Sequence, residues 1–175
     1  MNKKTAKNIT IGAIIAALYT ALSLIIAPLS FGAVQLRISE ALTVLPAVYP
    51  PSIVGLTLGC FLSNLLGFFL GANPLGFIDA IVGSSATLLA ALLTAYIGKK
   101  FKGTLLYLLA PLPPVLFNAL FVGAELCIIV IPEVNAATFF LTCLYIAIGE
   151  AIACYLGGSI LLKSCSKFLL GVYEK

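Results

Sequence analysis

The sequence predicts an all-α polytopic membrane protein, a six-helix transmembrane bundle with a short second helix. Three observations predict it. Apolar residues make up 62% of the 175-residue chain and charged residues 9%, against about 25% charged in a soluble domain. Mean hydropathy is +1.17, more apolar surface than a water-soluble core of this length could bury, so lipid must solvate it. Apolar stretches also recur near the ~20-residue length that a bilayer core demands, with lysines placed between or beyond them.

Segment one covers about Asn8 to Ala27 and stops at Pro28. It is longer than the apolar part of a secretory signal and lacks a clear cleavage site, which argues against a cleaved leader. Leu29 to Val34 reads as a loop with Ser30 and Gly32. Segment two, about Leu36 to Tyr49, contains Pro46 and ends at Pro50-Pro51. As an α-helix it would cover only roughly 20 Å of a ~30 Å core. Segment three covers about Ser52 to Leu70, and Gly71, Asn73 and Pro74 form a turn. Segment four covers about Leu75 to Ile97 and runs into Lys99, Lys100 and Lys102. Segment five lies between Thr104 and Ile131, where Pro111, Pro113 and Pro114 predict a kink or a broken start. Segment six covers about Asn135 to Leu162 and meets Lys163 and Lys167. All six belong to one domain, residues 1–175.

Six crossings place Lys3, Lys4 and Lys7, the cluster at Lys99–Lys102, and Lys163, Lys167 and Lys175 on one side. The positive-inside rule makes that side cytoplasmic, with both termini there. The net charge of +4 is therefore a topology signal and does not point to nucleic acid. The multi-pass fold belongs in a cell membrane.

Small residues recur every fourth position. Gly55, Gly59, Ser63, Gly67 and Gly71 in segment three, and Gly83, Thr87, Ala91 and Ala95 in segment four, read as close-packing seams. Ala13, Ala17 and Ala21 form a third row, read either as internal packing or as an exposed stripe for another protein, with exposure expected. Cys60, Cys127, Cys143, Cys154 and Cys165 contain no CxxC pair and read as packing residues. Cys143, Cys154 and Cys165 recur every 11 residues on one helix face. With no histidine in the chain, no metal site is expected.

The polar residues within the spans carry the functional signal, because ionisable groups at membrane depth mark a pathway or a binding site. Gln35, Arg37, Ser39 and Glu40 cluster before segment two. Arg37 and Glu40 are three apart and can pair on a helix, either as a structural ion pair or as a ligand clamp at the outer mouth. Asp79 opens segment four, as a helix-dipole partner or a site residue. Asn64 lies in the outer half of segment three. Asn118 and Glu125 share a face of segment five. Glu150 lies near mid-membrane with Phe139 eleven residues before it on the same face. No cation within segments five and six can neutralise Glu125 or Glu150, so both are expected to face one outward-opening cavity with Asn118 and Asn64. Carboxylates, amides and aromatic faces suit a donor-rich small molecule. A guanine-like edge with adjacent N–H donors fits, as does a protonated amine.

The run Val34-Gln35-Leu36-Arg37-Ile38-Ser39-Glu40-Ala41-Leu42-Thr43-Val44-Leu45-Pro46 resembles the signature of the QueT family. These are queuosine-precursor-binding (S) components of energy-coupling-factor (ECF) transporters. The likeness extends to Gly55–Asn64 and to the stretch from Asp79 to Ala90. It implies a six-helix bundle with its solute site on the extracytoplasmic side. It also implies docking to a membrane coupling subunit and two cytoplasmic ATPases. Ala13, Ala17 and Ala21 then look like the docking motif of the first helix, and Leu29–Gln35 like a lid over substrate. The chain has no G-x-x-x-x-G-K-[ST] sequence, so ATP would be used by partner subunits, with no cofactor on this chain. Two other readings are a stand-alone secondary transporter, for which no internal repeat is evident, and an S component for another vitamin-like molecule. An enzyme has little support. Without histidine, and with no Ser or Cys beside a plausible base, acyl or metal chemistry has little support.

Overall fold

The structure is a computed structural model that describes residues 2–32 and 35–174. It has no strands among those residues, and five helices are long and apolar enough to cross a membrane. The sixth expected span takes a different form, described below. Val34 of the signature run, part of the expected 29–35 loop, and Lys175 lie outside the described residues.

Helix α1 spans Lys3–Ile25 and starts where the Asn2 side chain accepts a hydrogen bond from the Lys4 backbone N–H at 3.3 Å. It begins before the expected Asn8 because hydropathy finds the membrane-buried part of a helix, not its polar first turn. Pro28 falls in the first turn of a short helix α2, Ala27–Ser30, where a loop was expected. Its missing N–H is harmless there.

Segment two is a ten-residue 3₁₀ helix, Ile38–Ala47. At ~2.0 Å per residue it covers roughly 20 Å, where ten α-helical residues would cover ~15 Å. Every residue from Ser39 to Ala47 is buried, so this element threads the bundle interior and does not face lipid. Arg37, just before it, reaches Asp79 in the first turn of helix α4, Gly76–Lys100. Ala47 lies against Gly98 in the last turn of α4, where an added Cβ would collide with the Ala47 backbone. Tyr49 Oη then donates to Asn8 Oδ1 at 2.8 Å, near the start of α1. The short element thus spans most of the height of α4, and Lys99 and Lys100 lie at the same end of the bundle as the start of α1.

Helix α3, Ser52–Phe69, packs along α1 through its glycines. A Cβ on Gly55 would strike the Gly12 backbone, and one on Gly59 would lie 2.8 Å from Tyr19 Cβ. The Gly55 ladder is therefore an internal seam. Gly71 turns the chain at φ 71°, the left-handed region that glycine enters without steric cost.

The prolines divide segment five into helix α5, Thr104–Leu109, and helix α6, Leu112–Ile129. The Thr94 hydroxyl donates to the Ala110 carbonyl at that break, at 3.2 Å. Segment six starts at a capping box, in which Asn135 and Thr138 satisfy each other's backbone N–H groups. It continues as helix α7, Ala136–Ala151, a π-helical stretch Ile152–Gly158, and helix α8, Ser159–Glu174. Cys143 abuts Gly123 of α6, whereas Cys154 Sγ lies 3.5 Å from the Glu40 carbonyl of the 3₁₀ helix. All five cysteines are free.

Large apolar side chains cover the outside, including Ile14, Leu18, Leu92, Leu116, Ile128, Phe140 and Leu144, while Glu40, Asn64, Asp79, Asn118, Glu125 and Glu150 are buried. Apolar outside and ionisable inside is the pattern of a bundle solvated by lipid around a polar interior.

Candidate functional site

The interior polar groups form two levels, joined by the 3₁₀ helix. The upper level lies where the start of α4 meets the ends of α2 and α3. Arg37 is its centre. Arg37 precedes the 3₁₀ helix in extended backbone (φ −98°, ψ 104°), which frees its side chain from helical spacing. Its Nη2 meets Asp79 Oδ2 at 3.3 Å, its Nε donates to the Ser30 carbonyl at 3.0 Å, and its Cζ lies 5.2 Å from the centre of the Phe31 ring. The pairing considered with Glu40 does not form, because helical i,i+3 spacing does not apply to a residue outside the helix. Arg37 binds a carboxylate from another element.

Asp79 is held through Oδ2 and its backbone carbonyl. Asn73 Nδ2 donates to its Oδ2 at 2.7 Å, and Asn64 Nδ2 donates to its backbone carbonyl at 2.9 Å. Gly83 leaves room for this, since a Cβ there would lie 2.7 Å from Asn64 Nδ2. Glu125, from α6, brings its carboxyl group beside Asp79. Two carboxyl groups facing each other contain no donor when both are ionised, so the pair calls for a proton or for a donor from a ligand.

The lower level gathers around Glu40. Tyr19 Oη of α1 donates to Glu40 Oε1, and Ser23 shares a 2.7 Å hydrogen bond with Ser39. Asn118 lies beside both Glu40 and Glu150. Cys154 Sγ lies 3.9 Å from Glu150 Oε2 and 3.7 Å from Thr43 Oγ1.

Several buried oxygens have no hydrogen-bond partner: Glu40 Oε2, Asn64 Oδ1, Asp79 Oδ1 and both Glu125 carboxyl oxygens, besides the Ser30 hydroxyl. Leaving a buried acceptor unmet costs about 1–3 kcal/mol each, and more when it is charged. Five unmet acceptors on four side chains form a surface that asks for donors. Of these four residues, Glu125 alone lines a cleft of about 580 Å³ between α4, α6 and α7, whose other walls are apolar and include Ile78, Val82, Phe121, Ile128 and Phe139. It is sized for a small molecule.

The nine expected contact residues separate as follows. Arg37, Asp79, Asn64 and Glu125 meet at the upper level, and Glu40, Asn118 and Glu150 at the lower. Phe139 lines the cleft with Glu125. Glu150, Asn118 and Asn64 do not line that cleft, so Glu125 and Glu150 occupy different levels instead of one shared wall. Gln35 is buried, with its backbone at φ 47°, a conformation that costs a non-glycine residue roughly 1–2 kcal/mol. Sequence reasoning passed over Tyr19, Asn73, Phe31 and Cys154. Tyr19 had a signal, because it continues the face of Gly12, Ala16 and Ser23 opposite the alanine stripe. Asn73 was hidden by its place in a Gly-Pro turn. Ala13, Ala17 and Ala21 all point out of the bundle.

A multi-pass bundle with an apolar exterior and a buried, acceptor-rich interior has the construction of a membrane transporter for a polar solute. Residues 9–167 match the family described as QueT transporter, and the chain belongs to that family. Its members are transporters and not enzymes. The chain is also similar to the queuosine precursor transporter QueT of Lactococcus lactis subsp. cremoris (strain MG1363). The two are 29% identical over 167 residues, 93% of this chain and 95% of that protein. No solved structure matches the chain.

Proposed function

We propose that the protein is the substrate-binding subunit of an ECF-type, ATP-driven importer, and that it captures a queuosine precursor of the 7-deazaguanine type from the extracytoplasmic side. The observation that carries the reading is the set of unmet acceptors on Asp79, Asn64, Glu125 and Glu40 around Arg37. A guanine-like edge presents adjacent N–H donors, which a carboxylate can accept as a pair. Glu125 is the carboxylate best placed for that edge, because both of its oxygens are unpartnered and Phe139 and Phe121 line the same cleft to stack on a ring. Arg37, fixed by Asp79 and Ser30, supplies donors to a carbonyl oxygen. Gln35, Asn64 and Asn118 complete the polar wall, with Glu40 and Glu150 below.

Orientation follows from charge. Lys99 and Lys100 lie at the bundle end that carries the start of α1, opposite the Arg37–Asp79 level, and the positive-inside rule makes the lysine end cytoplasmic. The site then opens outward, both termini are cytoplasmic, and the membrane is the cell membrane. The exposed Ala13, Ala17 and Ala21 stripe permits close approach by a helix of a membrane coupling subunit. That subunit would connect the protein to two cytoplasmic ATPases, and this chain would need no cofactor. The test is calorimetric titration of the purified protein in detergent, without any gradient, with 7-deazaguanine bases. One-to-one binding is expected. Absence of binding, or solute uptake by this chain alone in vesicles with a proton gradient, would contradict the reading.

A further inference from the structure

Asn73 lies in the turn between α3 and α4, yet it is only 2% exposed. Its Oδ1 accepts the Leu75 backbone N–H at 3.1 Å. Of the two amide atoms only the oxygen can accept that N–H, so the bond fixes which way the amide faces. Nδ2 then points at Asp79 and donates to its Oδ2 at 2.7 Å, with a longer contact of 3.4 Å to the Asn64 carbonyl. Arg37 Nη2 reaches the same Oδ2 at 3.3 Å. One carboxyl oxygen thus takes two donors, while the other, Oδ1, is buried with no partner. Left alone with a carboxylate, an arginine commonly pairs with both oxygens through its fork. The Arg37 Nε is taken by the Ser30 carbonyl, which leaves the two Nη groups for such a fork. The terminal carboxyl torsion of an aspartate is soft, so nothing within Asp79 itself prevents the rotation that would complete it. The short bond from Asn73 does.

We propose that Asn73 is a positioning residue for ligand capture: it holds Asp79 by Oδ2 and so keeps Oδ1 open for an N–H donor of the transported molecule. Asn73 acts through Asp79 and not by contact with the ligand. Without it the Arg37–Asp79 pair can close on itself, which satisfies both side chains and removes an acceptor from the site. The proposal rests on the deazaguanine reading and adds one residue to it. The seat of Asn73 is fixed by packing. A Cβ on Gly67 would lie 2.8 Å from the Phe31 ring and 3.3 Å from Asn73 Cβ. The ring that lies on Arg37 and the amide that holds Asp79 therefore rest on the same point of α3. A purely structural asparagine would make the unliganded protein more stable. Here the balance differs. Loss of the Nδ2 donor removes one hydrogen bond and lets the ion pair close in its place, so stability changes little while the ligand loses an acceptor.

The test is Asn73→Ser in the intact protein, purified in detergent. Serine keeps an oxygen that can accept the Leu75 N–H, but it is too short to hold Asp79. Two measurements are made on the variant and the wild type: calorimetric titration with 7-aminomethyl-7-deazaguanine, and a thermal melt without ligand. Binding by the variant should weaken by about 3- to 10-fold, the scale of one hydrogen bond. Its thermal midpoint should stay within ~3 °C of the wild type. Wild-type affinity in Asn73→Ser would overturn the positioning role and leave the deazaguanine reading in place. A variant that melts far lower, or fails to fold, would make Asn73 a structural residue of the turn and overturn the proposal as well. Failure of the wild type to bind the ligand would overturn the deazaguanine reading, and the role of Asn73 with it.

Discussion

The α1–α3 seam and the interior around the 3₁₀ helix are neighbours with opposite construction. In the seam, glycine meets glycine or alanine, Gly55 lies on the Gly12 backbone and Gly59 on Ala16, and Thr20 hydrogen-bonds the Ala16 and Gly59 carbonyls at 2.9 and 3.1 Å. The interior, a few ångströms away, leaves acceptors on Glu40, Asn64, Asp79 and Glu125 unmet. One region maximises contact between backbones. The other holds polar atoms in place without satisfying them. Tyr19 belongs to both, since its Cβ abuts Gly59 and its hydroxyl holds Glu40. The difference shows how a small bundle can keep a costly site. Rigid apolar seams fix the helices, so the unmet groups cannot relax toward one another.

This comparison can be broken in order of expected cost. Arg37→Met should do most harm, because it leaves Asp79 buried without its cation. Breaking a buried pair from one side costs about 3–5 kcal/mol, which should appear as a large drop in thermal midpoint in detergent or as failed expression. Arg37→Lys keeps the charge and loses the planar fork. Its expected outcome is a folded protein with weakened ligand affinity by calorimetry, and wild-type affinity would reduce Arg37 to a structural role. Gly55→Leu should come next, destabilising by about 1–3 kcal/mol through overpacking against Gly12. A thermal midpoint unchanged from wild type would show that the seam is looser than its geometry. Ala17→Trp should be smallest in stability, within ~0.5 kcal/mol, because the site faces outward. The same variant should nevertheless abolish uptake in cells while the purified subunit still binds ligand. Uptake at the wild-type level would remove the stripe from partner docking.

Much of this was legible in the sequence, in proportion to how local the cause was. The five long spans, the Gly-Asn-Pro turn and the break at Pro111, the first of the three prolines, follow from neighbouring residues, and all appear as elements or breaks. The short segment two was recognisable as short, but its 3₁₀ form was not. Ten residues cover the needed height only because the surrounding helices hold them in a narrow, stretched helix, and that is a tertiary cause. The polar residues were legible as a set, since a carboxylate in a span stands out. Their partners were not. Arg37 meets Asp79 from 42 positions away, and nothing in i,i+3 spacing reports on that. The split into two levels depends on where α6 and α7 place Glu125 and Glu150 against the 3₁₀ helix, a matter of packing depth that periodicity along one helix does not encode. The alanine stripe left internal packing and exposure both open in the sequence, and the structure decides for exposure because Gly12, Ala16, Tyr19 and Ser23 fill the opposite face of α1.

The central claim is that the unmet acceptors belong to ligand binding and not to stability. Glu125→Gln tests it most directly, because both carboxyl oxygens of Glu125 lack a partner within the protein. The measurement is a calorimetric titration with 7-aminomethyl-7-deazaguanine, paired with a thermal melt of the unliganded variant. Affinity is expected to fall by about 1–3 kcal/mol, roughly 5- to 150-fold in Kd, while the thermal midpoint stays level or rises. An unchanged Kd, or a loss of stability as large as that of Arg37→Met, would contradict it.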